Sequence, residues 1–149
     1  MLEGDVNFVI VGGFAGVLHG ASLVTRDLDL CLLVDPTTIE RLRVILKDLH
    51  PAHRMTPNKI SFLEFPEDPT GVQNIYLSTD CGILDLISNV SGIGDYNRVA
   101  SSACEIELFG RTCKVISIDD LIQSKIHMGR NKDLAMVKEL KVIQEKIKK

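Results

Sequence analysis

Short apolar runs punctuated by glycine, proline and acidic residues fill most of this chain, and helical periodicity takes over towards its end. Residues 7–11 form a β-rich run closed by Gly12-Gly13, and residues 14–19 leave room for only a brief helix before Gly20. Residues 28–34 read as a buried strand. Asp35-Pro36 ahead of Ile39, Leu42, Ile45, Leu46 and Leu49 predicts an amphipathic helix, capped by Asp35 and opened by proline. Residues 51–57 read as a loop, 60–65 as an alternating strand, 66–71 as a turn, and 74–77 and 83–87 as two further strands. Residues 105–108 and 111–116 flank Phe109-Gly110 as a hairpin. Ser117, with Asp120 three residues on, predicts a helix start running to about residue 128. A last helix is expected over about 132–147, with Leu134, Val137, Leu140 and Ile143 or Ile147 on one face.

The predicted class is α+β: a mixed β-sheet packed by helices, with helices at the C-terminal end. With 45% hydrophobic and 25% charged residues in 149, one core and one domain are expected, residues 1–116 holding the sheet and 117–149 the helices packed on it. No repeat or low-complexity tract interrupts it. No run reaches the ~18 apolar residues of a membrane span. Met1-Leu2-Glu3-Gly4-Asp5 lacks a basic leader, so a cytoplasmic protein away from membranes is expected.

The net charge of −3 argues against a surface built for non-specific nucleic-acid binding. The charge is uneven, however: residues 125–149 hold eight Lys/Arg against three Asp/Glu, and the rest nine against seventeen. Most of those lysines suit a solvated helix face, whereas Lys125, Arg130 and Lys132 gather around a break at Gly129. Cys31, Cys81, Cys104 and Cys113 share no metal-binding spacing and are expected as reduced, mostly core thiols. His19, His50, His53 and His127 are scattered, which speaks against zinc.

The candidate chemistry lies in three aspartates within strand-like surroundings. Asp27 and Asp29 bracket Leu28 at the head of one apolar run, separated from Gly13 by thirteen residues, and Asp85 interrupts another. Residues i and i+2 of a strand share a face about 6.7 Å apart. At an effective dielectric near 20, two such carboxylates repel by about 2.5 kcal/mol, a cost that a divalent cation removes. Mg²⁺ or Mn²⁺ is the expected cofactor, since hard cations take carboxylate and phosphate oxygens together. A third carboxylate, Asp85, completes such a site or accepts a proton from an attacking hydroxyl. Asp80 reads instead as a turn residue. Gly12-Gly13, at a strand end and helix start, lets backbone N–H groups approach phosphates. Two other readings stay open here. The acids could each be structural, capping or pairing with cations such as Arg26. The run Gly12-Gly13-Phe14-Ala15-Gly16 with Asp35 could be a degenerate dinucleotide-binding turn.

Val11-Gly12-Gly13 followed by Asp27-Leu28-Asp29-Leu30, with Asp85 in the place of a third acid and Thr25-Arg26 as a polar lead-in, resembles the DNA polymerase beta-like nucleotidyltransferase superfamily. The stretches 121–125 and 129–134 resemble the closing helices of its small bacterial members, including those akin to abortive-infection toxins. The resemblance implies metal-dependent transfer of a nucleoside monophosphate from ATP or another NTP to an acceptor hydroxyl. Asp27, Asp29 and Asp85 would be catalytic and hold the metal, and Gly12, Gly13, Thr25, Arg26, Lys125, Arg130 and Lys132 would bind nucleotide. It leaves the acceptor open among RNA, protein and small molecules. A nucleotide-binding member of a toxin–antitoxin pair without turnover is the alternative it implies. The glycine pair lacks the serine hydroxyl of many relatives, so phosphate contact rests on backbone N–H groups. Larger relatives also carry a substrate-binding domain beyond the size of this chain, which suggests a partner, an antitoxin or a second subunit.

Overall fold

The computed structural model describes residues 6–22, 27–108 and 110–148. Strand β1 (Val9–Val11) is buried throughout and passes directly into helix α1 (Gly12–Leu18). Strand β2 (Leu28–Cys31) is followed by helix α2 (Pro36–Leu46), where the Asp35 carboxylate accepts from the Thr38 N–H at 2.7 Å, a cap worth about 1 kcal/mol. Three further strands are β3 (Ala52–His53), β4 (Asn74–Thr79) and β5 (Gly82–Ile87). A small antiparallel pair, β6 (Asn89–Val90) and β7 (Gly94–Asp95), leads into helix α3 (Tyr96–Ser101), capped by Asp95. The hairpin β8 (Cys104–Leu108) and β9 (Arg111–Val115) follows. Helices α4 (Ile118–Met128), capped by Ser117 on the Asp120 N–H at 3.1 Å, and α5 (Asn131–Lys148) end the chain.

Seven strands form one mixed sheet in the order β3-β4-β5-β2-β1-β9-β8. β2 lies at its centre, antiparallel to β1 and parallel to β5, while β1 runs parallel to β9. The antiparallel β1–β2 pair, joined across the seven-residue α1, rules out the parallel βαβ unit of a dinucleotide fold. The alternate residues Leu30, Ile75, Leu77, Leu84 and Leu86 are buried in one cluster with Ile39, Leu42 and Leu46 of α2 and with Phe62. At roughly 1.5–3 kcal/mol for each large apolar side chain buried, this cluster fixes the register of β2, β4 and β5. It leaves the intervening residues Asp29, Tyr76 and Asp85 on the other face.

Several expectations need correction. Residues 60–65 are not a strand; they turn, with only a bridge from Ser61 to Ala52 and with Phe62 alone fully buried. Arg43 explains this, donating to the Phe62 carbonyl at 2.8 Å and the Pro66 carbonyl at 2.6 Å, so a side chain satisfies backbone groups that a strand partner would otherwise take. Within 51–57 lies β3, too short for any periodicity to reveal. Residues 89–101, for which no element is expected, hold β6, β7 and α3. On α5 the inward residues are Asp133, Met136, Val137 and Leu140, while Leu134 and Ile147 are exposed, because a polar anchor at Asp133 turns the first helical turn. All four cysteines are free, but only Cys31 and Cys113 are buried; Cys81 and Cys104 are exposed.

Candidate active site

The pairing of the sheet places one rank of residues side by side. Val11 pairs with Asp29, Asp29 with Asp85, and Asp85 with Tyr76. The rank extends one strand further, because Arg54, immediately after β3, donates its backbone N–H to the Tyr76 carbonyl at 3.1 Å. Register partners on neighbouring strands point to the same face with Cβ atoms about 5 Å apart. Asp29 and Asp85 are therefore neighbours on the face opposite the leucines.

Gly12 closes this rank from the β1 side. Its φ is +70°, and a Cβ placed there would lie 2.2 Å from Oδ2 of Asp29, a distance no side chain tolerates. Glycine is thus required twice, by backbone sign and by the carboxylate packed against it. Gly13 is the second residue of α1. Burial pushes the Asp29 carboxyl above its usual range, and the charges of Asp85 and Asp27 push it further, against the opposing pull of Lys125 and Arg54. Asp27 is exposed just ahead of β2, close enough for its charge to be felt at Asp29.

Asp85 has a partner that the sequence did not announce. Arg54 donates from Nε to Oδ1 at 3.1 Å and from Nη2 to Oδ2 at 2.6 Å, a bidentate fork on both carboxylate oxygens. The guanidinium carbon lies 5.4 Å from the centre of the Tyr76 ring, the next residue of the rank. Among the described residues, no three His, Cys, Asp or Glu side chains are grouped so as to hold a metal ion. Donor chemistry nevertheless fits a hard cation: Asp27 and Asp29 offer carboxylate oxygens, and the Asp29 carboxyl, raised first by burial and then by the charges of Asp85 and Asp27, carries a repulsion that such an ion would relieve. Asp85 lies in register beside them with both oxygens engaged by Arg54.

The basic residues of the closing helices divide. Lys125, buried on α4, places Nζ 3.3 Å from Oδ1 of Asp133, and its charge also reaches Asp29. Arg130 donates to Asp133 from its backbone N–H at 3.2 Å, from Nε at 2.6 Å and from Nη2 at 3.1 Å. Asp133 is thus a buried acid that closes the start of α5 and holds Lys125 towards the acids, its carboxyl held below the usual range first by Arg130 and then by Lys125. The sequence gives Asp133 only as an acid at a helix start. Lys132 is exposed on the first turn of α5, and no hydrogen bond among the described residues ties it to the acids. Thr25 and Arg26 lie outside the described residues. Arg54 was hidden because its position depends on a two-residue strand, and the one available signal was a cation within a supposed loop.

No protein-family model matches the chain. No curated protein sequence matches it either. Solved structures do. The lincosamide antibiotic adenylyltransferase LnuA, in its lincomycin-bound crystal structure, superposes with a TM-score of 0.57 at 20% identity, over 93% of this chain and 87% of LnuA. TM1012 of Thermotoga maritima, an inferred nucleotidyltransferase, superposes with a TM-score of 0.55 at 15% identity, over 92% of this chain and 83% of its own. The likeness is one of fold: a mixed sheet packed by helices, closed by helices at the C-terminal end.

Proposed function

We propose that this chain, whose fold is that of the DNA polymerase beta-like nucleotidyltransferases, moves a nucleoside monophosphate from an NTP to an acceptor hydroxyl and releases pyrophosphate. The observation that carries the reading is the side-by-side placement of Asp29 and Asp85 with Gly12 against the Asp29 carboxylate. In the reaction the acceptor oxygen bonds to the α-phosphorus. The bond from that phosphorus to the α,β-bridging oxygen breaks, and its electron pair leaves with pyrophosphate. Asp85 takes the acceptor proton. Asp27 and Asp29 are the residues that would hold Mg²⁺ or Mn²⁺, with Asp85 as the third acid. Such a cation, when bound, neutralises charge developing on the phosphates. The N–H groups at Gly12 and Gly13 face the phosphates, and Lys125, held by Asp133, adds a fixed positive charge from α4. Arg130, Lys132, Thr25 and Arg26 are further candidates for nucleotide contact.

The likeness to LnuA puts ATP first among the nucleotides to test and a lincosamide hydroxyl first among small-molecule acceptors. RNA and protein acceptors form the other arms. The test is incubation of purified protein with each α-labelled NTP and Mg²⁺ or Mn²⁺ against these acceptors. Label covalently fixed to an acceptor supports transfer, whereas neither binding nor transfer overturns the reading. A nucleotide-binding module without turnover, as in one half of a toxin–antitoxin pair, is favoured by one observation, the grip of Arg54 on both oxygens of Asp85. NTP binding with no labelled product in any arm would select it.

A further inference from the structure

The fork from Arg54 to Asp85 occupies the place where a cation shared by all three acids would need an oxygen. Asp29, Asp85 and Tyr76 are successive partners in one rank of the sheet, and Arg54 sits at its open end. Its guanidinium is positioned from three directions: by its own backbone bond to Tyr76, by the Tyr76 ring, and by two charge-assisted bonds to Asp85 at 2.6 and 3.1 Å. Both side chains of the pair are partly buried, so solvent screens their attraction only in part. The charge of Arg54 also acts on Asp29, in opposition to Asp85 and Asp27.

We infer that Arg54 is a built-in counter-ion of the acid row, which neutralises Asp85 while no divalent cation is bound and competes with that cation for Asp85. The inference rests on the nucleotidyltransferase reading for the identity of the cation. Three carboxylates gathered without metal repel one another, and an arginine fixed beside the outermost one allows the sheet to form before any ligand arrives. The same fork must loosen for Asp85 to give an oxygen to a metal. Cation affinity is therefore set partly by a residue that never touches the cation. Arginine suits the task better than lysine, because its planar fork engages both oxygens and stacks on Tyr76.

The test compares direct Mn²⁺ binding, followed without nucleotide by the spin-resonance signal of free Mn²⁺, in the parent, Arg54→Gln and Arg54→Lys proteins, with melting temperatures in chelator. Arg54→Gln is expected to bind Mn²⁺ more tightly by about tenfold or more, the scale of one unit charge withdrawn from beside a partly buried site. It should also melt lower in chelator and recover when Mn²⁺ is added. Arg54→Lys, which keeps the charge without the fork, should fall between the two. Should Arg54→Gln not fold in chelator, Arg54→Lys decides by the same comparison. Mn²⁺ affinity that is unchanged, weaker or absent in the folded variants overturns the inference, because loss of a merely structural ion pair lowers stability without tightening metal binding. Failure of the transfer reading shows separately, as no labelled product in any acceptor arm, and leaves the Mn²⁺ comparison intact.

Discussion

Gly12 and Asp29 are so closely packed that a single methyl group on the former would overlap the carboxylate of the latter, at 2.2 Å. The glycine that opens α1 and the acid that faces it from β2 thus form one structural unit. Replacing Gly12 with alanine places a Cβ at φ +70°, which costs about 1–2 kcal/mol by itself. It also drives Asp29 out of rank. Gly12→Ala is expected to melt lower and to lose turnover by more than the loss of stability accounts for, since the displaced acid is the one proposed to hold the cation. Thermal melts alongside the labelled-NTP assay check both. Full activity in a folded Gly12→Ala protein would detach the glycine from the site.

Asp29 carries a carboxyl raised first by burial and then by Asp85 and Asp27, so keeping it ionised in the folded, metal-free protein costs stability. A raised folded pKa means that the folded state binds more protons than the unfolded one, and the stability this contributes at acid pH is lost as pH rises through the folded value. Asp29→Asn is therefore expected to melt higher than the parent in chelator at neutral pH, with the difference closing as pH falls below the ordinary carboxylate range. Turnover of the same variant should drop by about a hundredfold or more, the scale of losing one preorganised charged group. A variant that melts lower in chelator and keeps its turnover would make Asp29 a structural acid.

The legible part of the fold was the part governed by local chemistry. Asp35 with Pro36 and Ser117 ahead of Asp120 mark helix starts through side-chain bonds spanning three residues, and both caps are present. The strands around Asp29 and Asp85 were legible because apolar residues on both sides leave the acids as the only polar positions. What was hidden depends on partners far apart in sequence. Arg43 reaches 19 residues to Phe62 and turns an apparent strand into a loop, and Arg54 reaches 31 residues to Asp85. No periodicity encodes such bonds. Nothing local sets Asp133 apart from an ordinary acid at a helix start, because one of the donors that hold it, Lys125, lies one helix earlier.

The cysteines give a check on the packing that needs no activity. Burial pushes the Cys31 thiol up to about 11, with Asp95 adding to the effect, and burial raises Cys113 as well. Cys81 and Cys104 are exposed. Native protein treated with a thiol reagent at pH 8 should label these two quickly and the buried pair only on denaturation, since the thiolate is the reacting form. Four fast thiols in the native protein would contradict the burial of β2 and β9.

Asp133 joins stability to the site most directly. It is buried, it accepts from Lys125 and from three donors of Arg130, and its carboxyl lies below the usual range. A lowered folded pKa means that the stability Asp133 contributes is present above the ordinary carboxylate range and is lost as pH falls through the lowered value. Asp133→Asn leaves the buried Lys125 ammonium without its carboxylate, a change that costs about 3–5 kcal/mol when one member of a buried pair is removed. Denaturant unfolding should show that gap at pH 7, and acid titration should shrink it as the parent loses the same charge. Lys125 also loses its anchor facing Asp29, so NTP binding by the folded variant, measured at neutral pH, should weaken together with stability. If Asp133→Asn unfolds more easily and still binds NTP as the parent does, the positive charge at Lys125 belongs to the packing of α4 on α5 and not to the phosphates.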